Sequence, residues 1–306
     1  MKTTAVNLGG IPLRQAYSLR EWVSLLLDLG KIKISLLATL STATGYLLAT
    51  GKITTQMFVP TAAVFLLACG SCALNQYQER EIDQWMERTK SRPIPSGRLN
   101  PQTALQISLG LILFGALTLF FGAGTLTLAL GLFAVLWYNL IYTPLKQKTV
   151  FAAVPGALVG AIPPALGWVA GGGKLLDPRI GGIALFFFIW QIPHFWLLLL
   201  GASKDYENAG IPSITKIFST EQVKQIVFIW LLSTGVASLI IPLFGLLNSV
   251  VSHILLVAGA SWLFWNTIVF LRLHDDQDLL RATFIKLNIY AVLVTSLLSV
   301  DRLLGS

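Results

Sequence analysis

Phe58-Val-Pro-Thr-Ala-Ala-Val-Phe-Leu-Leu-Ala-Cys69-Gly-Ser-Cys72-Ala-Leu74 runs without a charge and then turns polar as Asn75-Gln-Tyr-Gln-Glu79-Arg-Glu81-Ile-Asp83. The apolar run, taken from residue 55 to 74, is long enough as a helix to cross the ~30 Å hydrocarbon layer of a bilayer. Its continuation sets Asn75, Glu79 and Asp83 at every fourth residue. Helical positions four apart drift by only about 40°, so the three share one face. Oxygen donors gathered on one face at the mouth of a span suit a hard divalent cation. Glu81 points away from that stripe and is expected to pair with Arg80, Arg88 or the loop. Cys69 and Cys72 form a C-x-x-C inside the apolar run, with no second pair and no His nearby. They read as small buried packing residues rather than a redox or zinc pair.

The rest of the chain has the same character. Hydrophobic residues make up 55% of its 306 residues and charged residues 12%, which places it among polytopic membrane proteins. Nine apolar runs have spanning length, at about 34–50, 55–74, 103–121, 123–141, 150–170, 181–201, 223–244, 248–271 and 284–300. An odd number of spans puts the termini on opposite sides. With the N-terminus cytoplasmic, every Lys and Arg except Lys52, Lys174, Arg179 and Arg302 falls inside, as the positive-inside rule requires. All Asp and Glu except Asp177 and Asp301 fall on that side too. The rule does not demand this, so the working face is expected to be cytoplasmic and the C-terminus to lie opposite. The net charge of +8 then reflects topology and attraction to anionic head groups of the lipid bilayer, not nucleic-acid binding. No signal peptide is expected ahead of the first span. Residues 16–29 read as an amphipathic interfacial helix with Trp22, Leu25 and Leu26 towards lipid. The expected fold is all-α: a cytoplasmic N-terminal segment over 1–33, then a nine-helix membrane domain over 34–302 around a central cleft.

Two polar loops stand out, and four spans separate them. The first continues as Met86-Glu-Arg88-Thr89-Lys90-Ser-Arg92-Pro93-Ile-Pro95-Ser-Gly97-Arg98, where proline and glycine end the helix. Carboxylates that hold a cation, with Arg88, Lys90 and Arg92 just beyond, are what a diphosphate needs. The second loop follows Trp190-Gln191-Ile-Pro193-His194-Phe195-Trp196 and contains Lys204-Asp205-Tyr206-Glu207. Spans 1–4 and 5–8 are then two halves that each bring an acidic loop to one cleft. A plainer alternative is that the acids cap helix ends and pair with their own arginines. A third acidic group, Asp275, Asp276 and Asp278 beside His274, reads as a solvated loop. His253 reads as structural.

These motifs resemble the UbiA-type membrane-embedded prenyltransferase superfamily, and within it the branch that prenylates haem. Asn75, Glu79 and Asp83 match its N-x-x-x-D-x-x-x-D motif, which the haem branch extends through Met86, Arg88 and Thr89. Further matches are Ser96-Gly97-Arg98, Tyr142-Thr143, Gly160-Ala-Ile-Pro163-Pro164-Ala-Leu-Gly167-Trp168, Trp190 to Trp196, Asp205-Tyr206 and Ala209-Gly210-Ile211-Pro212. Together they cover about residues 30–302. Glu79 and Glu81 stand where the family usually has Asp.

The resemblance implies transfer of a farnesyl group from farnesyl diphosphate to a vinyl group of haem B. Mg²⁺ would be held by Asn75, Glu79, Asp83 and Asp205. Arg88, Lys90, Arg92, Lys146 and Lys204 would neutralise the diphosphate, with Tyr142 and Tyr206 also at the substrate. His194 is the candidate for haem contact; the alternative is a His that braces the Pro193 kink. The resemblance further implies a bacterial plasma (inner) membrane, with haem A synthase or terminal-oxidase assembly factors as candidate partners. Rival readings are the same chemistry on another aromatic or tetrapyrrole acceptor, a transporter, and an assembly factor that only holds haem. Span interiors nearly free of charge count against the transporter.

Overall fold

The computed structural model describes residues 17–272 and 277–305. Among them the chain is helical, with no strand. A short helix α1 (Leu19–Leu29) precedes α2 (Ile32–Thr50) and α3 (Phe58–Gln78), and α3 leads into the single turn α4 (Arg80–Asp83). Next come α5 (Pro101–Ala123) and α6 (Thr125–Leu136), which runs on through a π-helical turn, Trp137–Tyr142, into α7 (Thr143–Leu145). The second half contains α8 (Ala153–Ala170), α9 (Pro178–Gly201), the small α10 (Ser203–Asn208), α11 (Thr220–Ile240), α12 (Val250–Arg272) and α13 (Gln277–Leu304). Nine of the described segments are long and apolar enough to cross a membrane, beginning with Ile32–Thr50 and ending with Gln277–Leu304.

These segments coincide with the nine apolar runs and extend most of them by a few residues, because the ends are set by caps rather than by hydropathy. Asn100 accepts from the Gln102 amide ahead of Pro101, and Asp177 accepts from the Arg179 amide ahead of Pro178. Ser219 and Gln222 form a reciprocal capping box at the start of α11. Each device satisfies amides that a helix start leaves without partners.

Two expectations need correction. First, α1 does not turn Trp22 and Leu25 to lipid. Leu25 and Leu29 are buried against Ala73, Ile94, Leu99 and Ala104, with Trp22 packed on the same cluster, and Leu26 is left exposed. The Gln76 amide also donates to the carbonyls of Asp28 and Leu29, and Arg98 pairs with Asp28 at 3.3 Å. An apolar face is satisfied equally by lipid or by protein, and here protein covers it. Second, the Asn75–Asp83 stripe is not one unbroken helix. Glu79, at φ −99° and ψ 5°, separates α3 from α4. The i to i+4 bonds nonetheless continue, from the Glu79 amide to the Asn75 carbonyl and from the Asp83 amide to the Glu79 carbonyl. The three side chains therefore keep a common face across the pause.

Packing is tightest where α2 crosses α8. A Cβ on Gly167 would lie 1.9 Å from the Thr42 carbonyl oxygen, and one on Gly45 would lie 1.9 Å from that of Pro164. The two backbones meet directly at this pair of glycines, as membrane helices do when small residues face each other. Gly167→Ala is expected to cost about 3 kcal/mol, the upper end of overpacking. That should lower the thermal midpoint in detergent by about 6–10 °C. Gly181→Ala, where a Cβ meets nothing within 4 Å, should leave the midpoint unchanged. The largest buried cluster joins α8, α9, α11, α12 and α13 through Trp168, Phe186, Leu231, Phe270 and Tyr290. Cys69 and Cys72 are buried free thiols, as expected of packing residues.

Candidate active site

Alternation of the spans brings the α3–α5, α7–α8 and α9–α11 connections to one end of the bundle, and these connections carry the site. Beneath them a cavity of about 640 Å³ opens between α2, α3, α6, α8, α9 and α13. Its polar end is walled by Lys31, Arg88, Arg92, Lys146, Tyr138, Tyr142 and Tyr206, and its middle by Gln191, His194 and Asn288. The remainder is mostly aliphatic and aromatic, with Leu37, Leu67, Val135, Leu166 and Phe187 among its walls and hydroxyls such as Ser41, Thr44 and Ser299 between them. This is the central cleft expected from the sequence.

The stripe lies directly behind the basic wall, and each of its three donors is held by one cation. Lys146 Nζ sits 2.7 Å and 2.8 Å from the two carboxylate oxygens of Glu79. Arg92 Nη1 lies 2.6 Å from Asp83 Oδ2. Lys31 Nζ donates to Asn75 Oδ1 at 2.9 Å, while the Asn75 amide donates to Thr143 Oγ1 at 3.1 Å. Asn75, Glu79 and Asp83 are all buried. A buried carboxylate is tolerated only when paired in this way.

Asp205, on α10, accepts from the Arg88 backbone amide at 3.1 Å, so the two acidic loops do meet over the cavity. Arg88, Arg92, Lys146, Tyr142, Tyr206 and His194 line it. Lys90 and Lys204 do not. Lys90 pairs with the exposed Glu87, and Lys204 is exposed on α10. Lys90 lies in the turns after α4 and Lys204 on α10, and both side chains face solvent. Glu81 pairs with Arg80 at 3.0 Å, off the stripe as expected. His253 bonds the Ser249 carbonyl. His274, Asp275 and Asp276 lie outside the described residues, and Asp278 is in the first turn of α13.

Sequence reasoning missed three participants. Lys31 caps α2 with φ 45°, the one non-glycine positive φ among the described residues. Such a backbone is uncommon away from glycine and clusters at functional sites. Burial, reinforced by the Arg92 guanidinium, pushes its ammonium down to about 8. Asn139, in the π-helical turn, bonds Ser71 and Gln78 of α3 and fixes that turn against the stripe. Asn288 bonds His194 at 3.0 Å. Asn139 and Asn288 could have been found as single amides inside otherwise apolar spans; the backbone of Lys31 left no mark in its sequence.

Among the described residues no three His, Cys, Asp or Glu side chains converge as a metal-holding group. The donor chemistry still fits a hard cation. Asn75, Glu79 and Asp83 offer only oxygen, on one face, next to cations able to move to phosphate oxygens.

Residues 38–290 match the UbiA prenyltransferase family. The chain belongs to that family. A protoheme IX farnesyltransferase of Geobacter sulfurreducens is 39% identical over 215 residues, covering 70% of this chain and 79% of the relative. Another, of Oleidesulfovibrio alaskensis, is 37% identical over 218 residues, covering 71% and 77%. Solved UbiA-type structures share the fold at low identity. A digeranylgeranylglyceryl phosphate synthase superposes with a TM-score of 0.74 at 16% identity, covering 92% of this chain and 98% of that one. A UbiA homolog from Archaeoglobus fulgidus bound to GPP and Mg²⁺ superposes with a TM-score of 0.62 at 14% identity, covering 90% and 99%. The chain is thus a multi-pass membrane prenyltransferase, with nine helices of spanning character.

Proposed function

We propose that this UbiA-family enzyme transfers the farnesyl group of farnesyl diphosphate to a vinyl group of haem B, giving haem O for haem A synthesis and terminal oxidases. The observation that carries the reading is one cavity with a basic end, backed by the carboxylate stripe, and an apolar body that contains His194. The names of the relatives specify the acceptor.

In this reading Arg88, Arg92, Lys146 and Lys31 grip the diphosphate, and the farnesyl tail lies among the aliphatic walls. Asn75, Glu79 and Asp83 would hold Mg²⁺ with Asp205 across from them, and the ion would neutralise charge on the departing group. The allylic C–O bond breaks with its electron pair leaving on the diphosphate. The vinyl π pair then forms the new C–C bond, and water adds at the resulting cationic carbon and loses a proton. The basic wall stabilises the leaving group in place, while the apolar walls keep water from the first cation until the vinyl group has reacted. His194 meets the haem. The basic end faces the cytoplasm of a bacterial plasma membrane, as the distribution of Lys and Arg favours.

The test is direct. Purified protein in nanodiscs, given haem B, farnesyl diphosphate and Mg²⁺, should yield haem O by mass spectrometry. Prenylation of a different aromatic or tetrapyrrole acceptor, with none of haem B, would overturn the assignment of acceptor. No prenylation of any acceptor by folded protein would overturn the activity.

A further inference from the structure

Asn288 lies in α13, one helical turn beyond Phe284. Its side-chain nitrogen donates to the Phe284 carbonyl at 2.6 Å. A carbonyl oxygen only accepts, so this bond sets which way the Asn288 amide points. The amide oxygen therefore faces His194, 3.0 Å from Nδ1. That oxygen also only accepts, which means that Nδ1 carries the proton. In a neutral imidazole the lone pair is then on Nε2, and among the described residues Nε2 has no hydrogen-bond partner. The rings of Trp190 and Phe284 lie against the imidazole with centroids 5.0 Å and 4.8 Å away, which limits its rotation. Both His194 and Asn288 line the cavity.

We infer that Asn288 is a positioning residue, which fixes the Nδ1–H tautomer of His194 and leaves Nε2 free to ligate the iron of an acceptor macrocycle. The inference rests on the reading of His194 as the residue that meets haem B. It extends that reading to a second helix: α9 supplies the ligand and α13 sets its tautomer and direction. Partners of this kind, one bond behind a ligating imidazole, typically change metal affinity by about 10–100-fold.

The experiment is a titration of purified protein in nanodiscs with ferric haem B, followed by optical absorption and electron paramagnetic resonance. The wild-type protein should show an imidazole-ligated spectrum. His194→Ala should lose that signature and recover it with added imidazole. Asn288→Leu, with no acceptor, should weaken haem binding by about 10–100-fold. Asn288→Asp retains an acceptor for Nδ1–H and should keep the ligated spectrum, with a lower reduction potential for the bound haem. An Asn288→Leu protein with wild-type affinity and spectrum overturns the positioning role. So does equal loss in the Leu and Asp variants, because a residue that only supports the fold would not distinguish them. An unchanged spectrum in His194→Ala overturns instead the contact between His194 and haem.

Discussion

Asp83→Ala is expected to reduce haem O formation by about 10³-fold, the upper range for removing one preorganised electrostatic group. Asp83 is buried in α4, and its carboxylate is held by Arg92 at 2.6 Å. Its loss acts twice in the proposed mechanism, because a donor for Mg²⁺ disappears and Arg92 is left without its anchor. A buried charge stripped of its partner commonly costs about 3–5 kcal/mol of stability, so the rate must be read beside the thermal midpoint. Asp83→Asn separates the two effects, since it preserves shape and can still accept a bond from Arg92. If the carboxylate charge matters to the chemistry, Asn should be nearly as inactive as Ala and closer to wild type in midpoint. Undiminished product from Asp83→Ala, measured by mass spectrometry, would remove Asp83 from the proposed metal site.

Lys146→Gln should move two affinities in opposite directions. Lys146 now neutralises both oxygens of Glu79 while also forming part of the cavity wall. A divalent ion that binds Glu79 must displace that ammonium, which is then free to turn to a diphosphate. Without the lysine, Glu79 is open to the cation, so affinity for Mn²⁺ alone should rise by about tenfold, or 1.4 kcal/mol. Affinity for inorganic pyrophosphate should fall by a similar factor, because one cation of the basic wall is gone. Electron paramagnetic resonance reads the first and calorimetry the second. Parallel loss of both would show that Lys146 merely supports the fold. The same exchange applies to Arg92 with Asp83 and to Lys31 with Asn75. It makes metal and diphosphate mutually dependent ligands: each occupies groups that the other releases.

Much of the architecture is legible in the sequence because membrane spans obey a simple rule of length and hydropathy. The runs at 150–170 and 181–201 reappear as Val150–Ala170 and Pro178–Gly201, with the extra turn of the latter supplied by the Asp177 cap. The stripe was legible for the same reason, since a period of four survives even the pause at Glu79. What each donor bonds was not. Lys90 is nearer than Arg92 to Asp83 along the chain, yet Arg92 reaches it and Lys90 turns to Glu87. Local spacing cannot decide this where Pro93 and Pro95 bend the loop. Lys146 meets Glu79 from beyond α7, carried there by the π-helical turn that ends α6. Hydropathy is likewise blind to Lys31, whose role comes from a left-handed backbone, and to Leu25, whose apolar side chain would suit lipid as well as protein.

The clasp on α1 bears on how the site comes into being during synthesis. Everything that holds this helix is translated after it: Ala73 and Gln76 from α3, then Ile94, Arg98 and Leu99 from the loop, then Ala104 from α5. Tyr17 likewise bonds the backbone carbonyl of Arg98. The helix therefore leaves the ribosome early, when only the membrane interface can shelter its apolar face. Its docking surface is complete once the loop after α3 and the first turn of α5 have followed it. Lys31 sits at the end of that docking helix and contacts Asn75, so the first basic residue of the cavity to be translated is among the last to be seated. A nascent chain halted before Ile94 would have the carboxylate stripe in full while the loop contacts that hold α1 beside Lys31 were still missing.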